Sequence, residues 1–208
     1  YSESVSRKVS DSPVGIGRLL IVGLGLMGGS LALAARRRGL CGEVIGHSRS
    51  ETTLADAVRL DVVDRIESHL PTALSELRAG DLVVIGVPTR VVPDILAEIR
   101  RYTDDSVTLT DVASVKGSVV AAAQCVYGTV PPQFVPGHPI AGSERSGVGA
   151  ARADLYERHE VILTPVAETD AFPLARVRNL WPGVCARVSV LTPDGHDQVP
   201  APPRHLPP

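Results

Sequence analysis

The chain has 208 residues, 44% of them hydrophobic but only 3% aromatic, with a formal net charge of −2. That balance gives no electrostatic case for nucleic acid or an anionic membrane as partner; no apolar run reaches membrane-spanning length and no secretory signal opens the sequence. Cys41, Cys125 and Cys185 share no metal-ligand or redox spacing, so they read as free thiols of a cytoplasmic protein, with no metal site expected.

Residues 1–13 are polar, rich in Ser and without periodicity, and read as a flexible leader. The first predicted strand, Leu19–Val22, runs directly into Gly23-Leu-Gly25-Leu26-Met27-Gly28, and a helix follows over Gly29–Arg38. Strand, glycine turn and helix in that order are the context in which this spacing marks a dinucleotide site. Gly23 permits the turn, Gly25 lets the backbone approach a pyrophosphate, and Gly28 lets the helix pack closely on the strand. The first N–H groups of that helix, at its positive dipole end, then face the phosphates. Gly39 sits where a helix C-cap is wanted, and Arg36-Arg37-Arg38 reads as the solvated end of the helix, where cations are favoured.

The pattern then alternates. Further strands are predicted over Glu43–Gly46, Leu82–Val87, Val107–Thr110, Glu160–Leu163 and Ala186–Leu191. Further helices are predicted over Thr53–Leu60, Ala73–Arg78, Val92–Tyr102 (with Pro93 in its first turn), Lys116–Tyr127 and Asp170–Trp181. Such alternation with short connections predicts an α/β fold, a Rossmann-type, doubly wound, mainly parallel sheet over residues 14–192. A core of Val, Leu, Ile and Ala suits parallel strands covered on both faces. After Leu191 the chain reads as the entrance to a further helix, with Asp194 as its N-cap. Pro200, Pro202, Pro203, Pro207 and Pro208 forbid a long one, so 193–208 reads as a proline-rich tail.

The end of the second strand of such a sheet meets the adenosine ribose, where a carboxylate selects NAD over NADP. Here Ser48, Arg49 and Ser50 occupy that place, and two hydroxyls around a guanidinium suit a phosphate monoester. The expected coenzyme is therefore NADP, with NAD as the alternative. Val87, Pro88 and Thr89 end a buried strand beside the expected nicotinamide position. Two more segments occupy catalytic-loop positions: Asp111-Val-Ala-Ser114-Val-Lys116-Gly117 and Pro136-Gly-His138-Pro-Ile-Ala-Gly-Ser143-Glu144-Arg-Ser-Gly147. His138, in a loop between Gly and Pro, is the candidate general base, because imidazole titrates near working pH. His47, His69, His159, His196 and His205 lack such surroundings and read as surface or structural residues.

Taken in order, Gly-Leu-Gly-Leu-Met-Gly-Gly-Ser, Asp-x-x-Ser-Val-Lys and Gly-His-Pro-Ile-Ala-Gly-Ser-Glu-x-Ser-Gly resemble the prephenate/arogenate dehydrogenase family of tyrosine biosynthesis, from about Arg18 to His196. The Ser-Arg-Ser segment is similar to that of NADP-dependent members. The resemblance implies oxidative decarboxylation of prephenate, or alternatively arogenate, with hydride transfer to the coenzyme. It implies that His138 accepts the proton of the ring hydroxyl. It also implies that Ser114 helps hold His138 and the nicotinamide in register and that Glu144 is a gating or polar-network residue beside the substrate; Lys116 supports the loop.

Relatives continue into a helical domain that dimerises and supplies an arginine for the substrate carboxylate. This chain stops at Pro208 after Arg204-His205-Leu206-Pro207, and Arg204 is not given that role. Three expectations stay open on sequence: a truncated member, a member completed by a separate helical subunit, or an NADP-binding module with an exposed apolar face. A different hydroxyacid reductase on the same nucleotide domain is disfavoured by the His138 segment.

Overall fold

The computed structural model describes residues 15–191; the leader, the entrance at Asp194, and His196, Arg204, His205 and the proline-rich tail lie outside the described residues. The described chain runs β1 (Ile16–Val22), α1 (Leu26–Arg37), β2 (Cys41–His47), α2 (Glu51–Arg59), β3 (Arg65–Ile66), α3 (Leu70–Ser75) and β4 (Leu82–Ile85). It continues through α4 (Val92–Tyr102), β5 (Thr108–Asp111), α5 (Lys116–Tyr127), β6 (Phe134–Val135), β7 (Gly137–Ile140), β8 (Glu160–Leu163), α6 (Ala171–Gly183) and β9 (Arg187–Val190).

Six strands form a wholly parallel sheet in the order β3-β2-β1-β4-β5-β6. This is the order of a dinucleotide-binding doubly wound sheet, with its topological switch between β1 and β4. Successive residues of β1 feed opposite faces. Leu19 and Ile21 pack with α1, α2, α6 and the second sheet, while Leu20 and Val22 pack with α3, α4 and α5. The helices after β1 and β4 therefore leave on opposite faces, which opens the crevice between those strands. Burial on both faces explains why these strands are continuous apolar runs.

Several local signals act as the sequence predicts. Gly39 adopts φ +62°, and the N–H groups of Gly39 and Leu40 bond back to Arg36 and Ala35, a left-handed stop that satisfies the last carbonyls of α1. Pro93 lies in the first turn of α4. The arginine cluster is only partly solvated: Arg36 pairs with Asp61 and Asp64, and Arg38 with Glu157.

Others differ. Helix α1 begins three residues earlier than expected, with Gly28 and Gly29 inside it. Helix α3 begins at Leu70 and closes at Ser75, because Pro71 is tolerated in a first turn. Strand β4 ends at Ile85, and Thr89 opens a short 3₁₀ turn, Thr89–Val91. The strands over Glu160–Leu163 and Arg187–Val190 do not join the large sheet. They form a separate three-stranded sheet, β7-β8-β9, antiparallel between β7 and β8 and parallel between β8 and β9. Its first member contains His138, so that residue stands on a strand rather than in a loop. Pro139 is accommodated because β7 is an edge strand.

Among the described residues the large apolar side chains most exposed are Phe172, at 83%, then Val58, Val115, Val190, Leu191 and Leu60. No helix among the described residues is long and apolar enough to cross a membrane.

Candidate functional site

Strand register builds the site. Val22 of β1 pairs with His47 of β2 on one side and Ile85 of β4 on the other, and Ile85 pairs with Asp111 of β5. Four strands thus end in line at one rim of the sheet. Immediately beyond them come Ser48–Ser50, Gly23–Gly28, Gly86–Thr89 and Val112–Ser114. The structure brings all these predicted segments to the rim where the switch point opens.

At the centre the glycine turn is sterically enforced. Gly23 has φ +103°, and a Cβ there would lie 2.6 Å from the carbonyl of Gly86; its N–H bonds the His47 carbonyl at 2.9 Å. A Cβ on Gly28 would lie 2.1 Å from the Gly23 oxygen, so the helix crosses the turn in contact. Gly25 differs from both: its φ is −84° and nothing lies within 4 Å of its Cβ position. It caps α1 with no side-chain hydrogen bond, and no acidic residue occupies the first turn. Leu26, Met27 and Gly28 therefore present N–H groups without intrahelical acceptors beside an open space that a Cβ would fill, a fit for an anionic pyrophosphate.

At the end of β2, Arg49 is exposed, while the two serines are engaged locally. The Ser50 hydroxyl accepts the Thr53 N–H at 3.2 Å and caps α2; the Ser48 hydroxyl accepts the Ser50 N–H at 3.1 Å. Both oxygens keep a hydroxyl proton to donate. His47 is buried, its Nδ1 donating to the Glu67 carbonyl at 2.8 Å, and burial lowers its pKa. Cys41 is also buried, and its thiol is pushed up to about 12 by that burial, then by Asp64 and Glu43.

Val87 is half-buried, and Pro88 and Thr89 are exposed at the rim. Ser114 is exposed, just before α5. His138 and Ile140 share the half-buried face of β7, Gly137 and Pro139 the buried one.

Behind these residues lies a polar cluster in which sequence reasoning gave Asp111 no role. Asp111 and Lys116 are both 0% exposed and form a buried ion pair. Asp111 Oδ1 accepts the Gly137 N–H at 3.0 Å, and Oδ2 accepts the Ala113 N–H at 3.0 Å as well as Lys116 Nζ. Lys116 Nζ also donates to the Gly137 carbonyl at 2.7 Å. The expectation that Lys116 supports the loop thus acquires a geometry.

Glu144 is exposed in the loop after β7. The far end of that loop returns to α1. The Arg152 N–H bonds the buried Ser30 hydroxyl at 3.0 Å, and the Tyr156 hydroxyl donates to the Met27 carbonyl at 2.5 Å. Tyr156 in turn packs edge-on against the buried Trp181 at 5.1 Å. Ser30 ends the first quoted motif but its contact, like that of Tyr156, was not legible in sequence, because the partners lie 122 and 129 residues away. No group of three or more His, Cys, Asp or Glu among the described residues could hold a metal ion.

Residues 31–190 match the family described as "Prephenate dehydrogenase, nucleotide-binding domain". The chain is 34% identical over 190 residues to the prephenate dehydrogenase of Bacillus subtilis (strain 168), covering 91% of this chain and 50% of that protein. It is 33% identical over 192 residues to the cyclohexadienyl dehydrogenase of Zymomonas mobilis subsp. mobilis, covering 91% and 63%. Among solved structures, prephenate dehydrogenase from A. aeolicus in complex with hydroxyphenyl propionate and NAD+ superposes with a TM-score of 0.80 at 34% identity, over 88% of this chain and 62% of that one. Synechocystis arogenate dehydrogenase superposes with a TM-score of 0.78 at 31% identity, over 87% and 62%. The chain spans 46% to 63% of the length of the curated relatives it matches.

Proposed function

Since the chain belongs to the prephenate dehydrogenase family, through its nucleotide-binding domain, we propose that it is the coenzyme-binding and proton-accepting part of a dehydrogenase that oxidatively decarboxylates prephenate with NADP. Arogenate is the alternative substrate and NAD the alternative coenzyme. The observation that supports the reading is the rim itself: the open space at Gly25 follows β1, Ser114 follows β5, and His138 follows Gly137, whose N–H is bound by Asp111 at the end of β5.

When bound, the nicotinamide supplies a hydride acceptor. The chain does the rest. Gly25 and the first N–H groups of α1 hold the pyrophosphate, Ser48, Arg49 and Ser50 take the 2′-phosphate, and Val87, Pro88 and Thr89 border the nicotinamide. Ser114 hydrogen-bonds the reacting region. His138 takes the proton of the ring hydroxyl as the hydride leaves the same carbon. The ring carboxylate then departs as carbon dioxide, its bonding electrons entering the ring as it becomes aromatic. Glu144 serves as a polar gate beside the substrate. The soluble, cytoplasmic setting of a small-molecule biosynthetic enzyme and a homodimer built through a further helical domain belong to the same reading. The experiment that tests it is an initial-rate measurement on prephenate and on arogenate, each with NADP and with NAD. Coenzyme binding without turnover on either substrate leaves a nucleotide-binding module.

Two substitutions test the coenzyme assignment. Arg49→Asp weakens NADP by about tenfold or more, because a charge-assisted hydrogen bond contributes about 1.5–3 kcal/mol, and leaves NAD nearly unchanged. Titration by nucleotide fluorescence checks it, and tighter binding of NAD than NADP by the unmodified chain overturns the 2′-phosphate site. Gly25→Ala meets no protein atom within 4 Å, so the melting temperature stays within about 2 °C while coenzyme affinity falls. Gly28→Ala, blocked at 2.1 Å by the Gly23 oxygen, lowers both. Equal losses of stability in the two variants would show that Gly25 serves the fold rather than a ligand.

A further inference from the structure

The cluster behind the rim bears on both Ser114 and His138. The chain changes sheets at Pro136: Val135 pairs with Thr110 in the large sheet, while Gly137 pairs with Leu163 in the small one. His138 therefore sits two residues past the junction, where the large sheet's ladder no longer fixes its height above the rim. At that junction Asp111 and Lys116 grip Gly137 by both polar groups of its backbone, N–H to carboxylate and carbonyl to ammonium. The other oxygen of the same carboxylate holds the N–H of Ala113, the residue before Ser114. One buried carboxylate thus holds the immediate neighbours of both candidate site residues. Gly137 is required for the approach: a Cβ there would stand 3.0 Å from the Asp111 carbonyl oxygen and 3.4 Å from both Leu163 and Thr110 side-chain atoms.

We propose that Asp111, neutralised by Lys116, is a positioning residue that sets the separation of Ser114 from His138 and holds His138 at the coenzyme rim. It touches neither substrate nor coenzyme and acts through the two peptide segments it binds. Hydrogen bonds from one fixed carboxylate make the two segments move together, which geometry-sensitive proton transfer requires. The inference rests on the reading of His138 as the base beside the nicotinamide, and the experiment separates the two.

The test follows the His138 imidazole resonances by NMR in the whole chain, with and without NADP, in three proteins: unmodified, Asp111→Asn/Lys116→Met, and Gly137→Ala. The double variant removes both charges together, and Gly137→Ala keeps the ion pair but pushes the strand away. In the unmodified chain NADP shifts the His138 signals. In both variants NADP binds within about threefold of the original affinity, but the His138 shift falls by at least half and its line broadens. A variant that melts below the assay temperature leaves the other to decide. An undiminished shift in a folded variant overturns the positioning role alone. No shift in the unmodified chain overturns both the role and the placement of His138 beside the nicotinamide. Where turnover is measurable, combining Asp111→Asn/Lys116→Met with His138→Asn adds no further loss to that of His138→Asn, whereas additive losses would show that Asp111 acts on the fold at large.

Discussion

His138→Asn lowers turnover by about 10²–10⁴-fold and leaves the coenzyme dissociation constant within about twofold. The magnitude is that of a positioned general base, and the selectivity follows from where the side chain stands. It lies on the half-buried face of an edge strand whose backbone pairs with Ile162, and the neighbouring peptide is held by Asp111 and Lys116. Asparagine keeps a polar side chain of similar reach and leaves those backbone contacts untouched, while removing a group that can accept a proton near neutral pH. The glycine turn proposed to hold the coenzyme lies between β1 and α1, and β1 is two strands away from β5 in the large sheet. Initial rates with prephenate and arogenate, alongside direct titration with NADP, measure the two quantities separately. A loss of coenzyme affinity as large as the loss of turnover would show that His138 maintains the rim rather than the chemistry.

Lys116→Met destabilises the chain by about 3–5 kcal/mol, the usual consequence of leaving one member of a buried ion pair without its partner. For a domain of this size that corresponds to a melting temperature lower by roughly 10 °C. The methionine fills nearly the same space, so the loss is electrostatic: Asp111, fully buried, keeps two backbone N–H donors but loses its cation, and the Gly137 carbonyl loses a donor. Asp111→Asn/Lys116→Met removes both charges and is destabilised much less. Urea denaturation of both proteins decides the matter. Equal destabilisation of the single and double variants would mean that the pair contributes through packing, not charge.

The two expectations draw on different parts of the information in the chain. The glycine turn, the alternation of strand and helix, the stop at Gly39 and the start near Pro93 rest on interactions spanning a few residues. Local composition therefore displays them, and α4 and α5 run as predicted. Gly28 nevertheless hid the first residues of α1, Leu26 and Met27, because glycine disfavours helices where packing does not demand it. Here the approach of Gly28 to the Gly23 oxygen demands it.

Strands β3 and β6 are two residues each, too short to show a period, and β7 reads Gly-His-Pro-Ile, whose glycine and proline signal a loop. Only pairing with β8, twenty or more residues on, makes β7 a strand, and only its place at a sheet edge tolerates the proline. The same holds for Asp111. Its motif was visible, but its task depends on the peptide of Gly137, 26 residues away, arriving beside it.

Sequence alone thus determined the sheet class, the glycine turn and which segments end at the rim, because short-range sterics and periodicity encode them. The tertiary structure alone decided that a second sheet carries His138, that Arg152 and Tyr156 return to α1, and that one buried carboxylate joins the segments of Ser114 and His138. Those arrangements are fixed by hydrogen bonds and burial between distant segments, which no local window of residues contains.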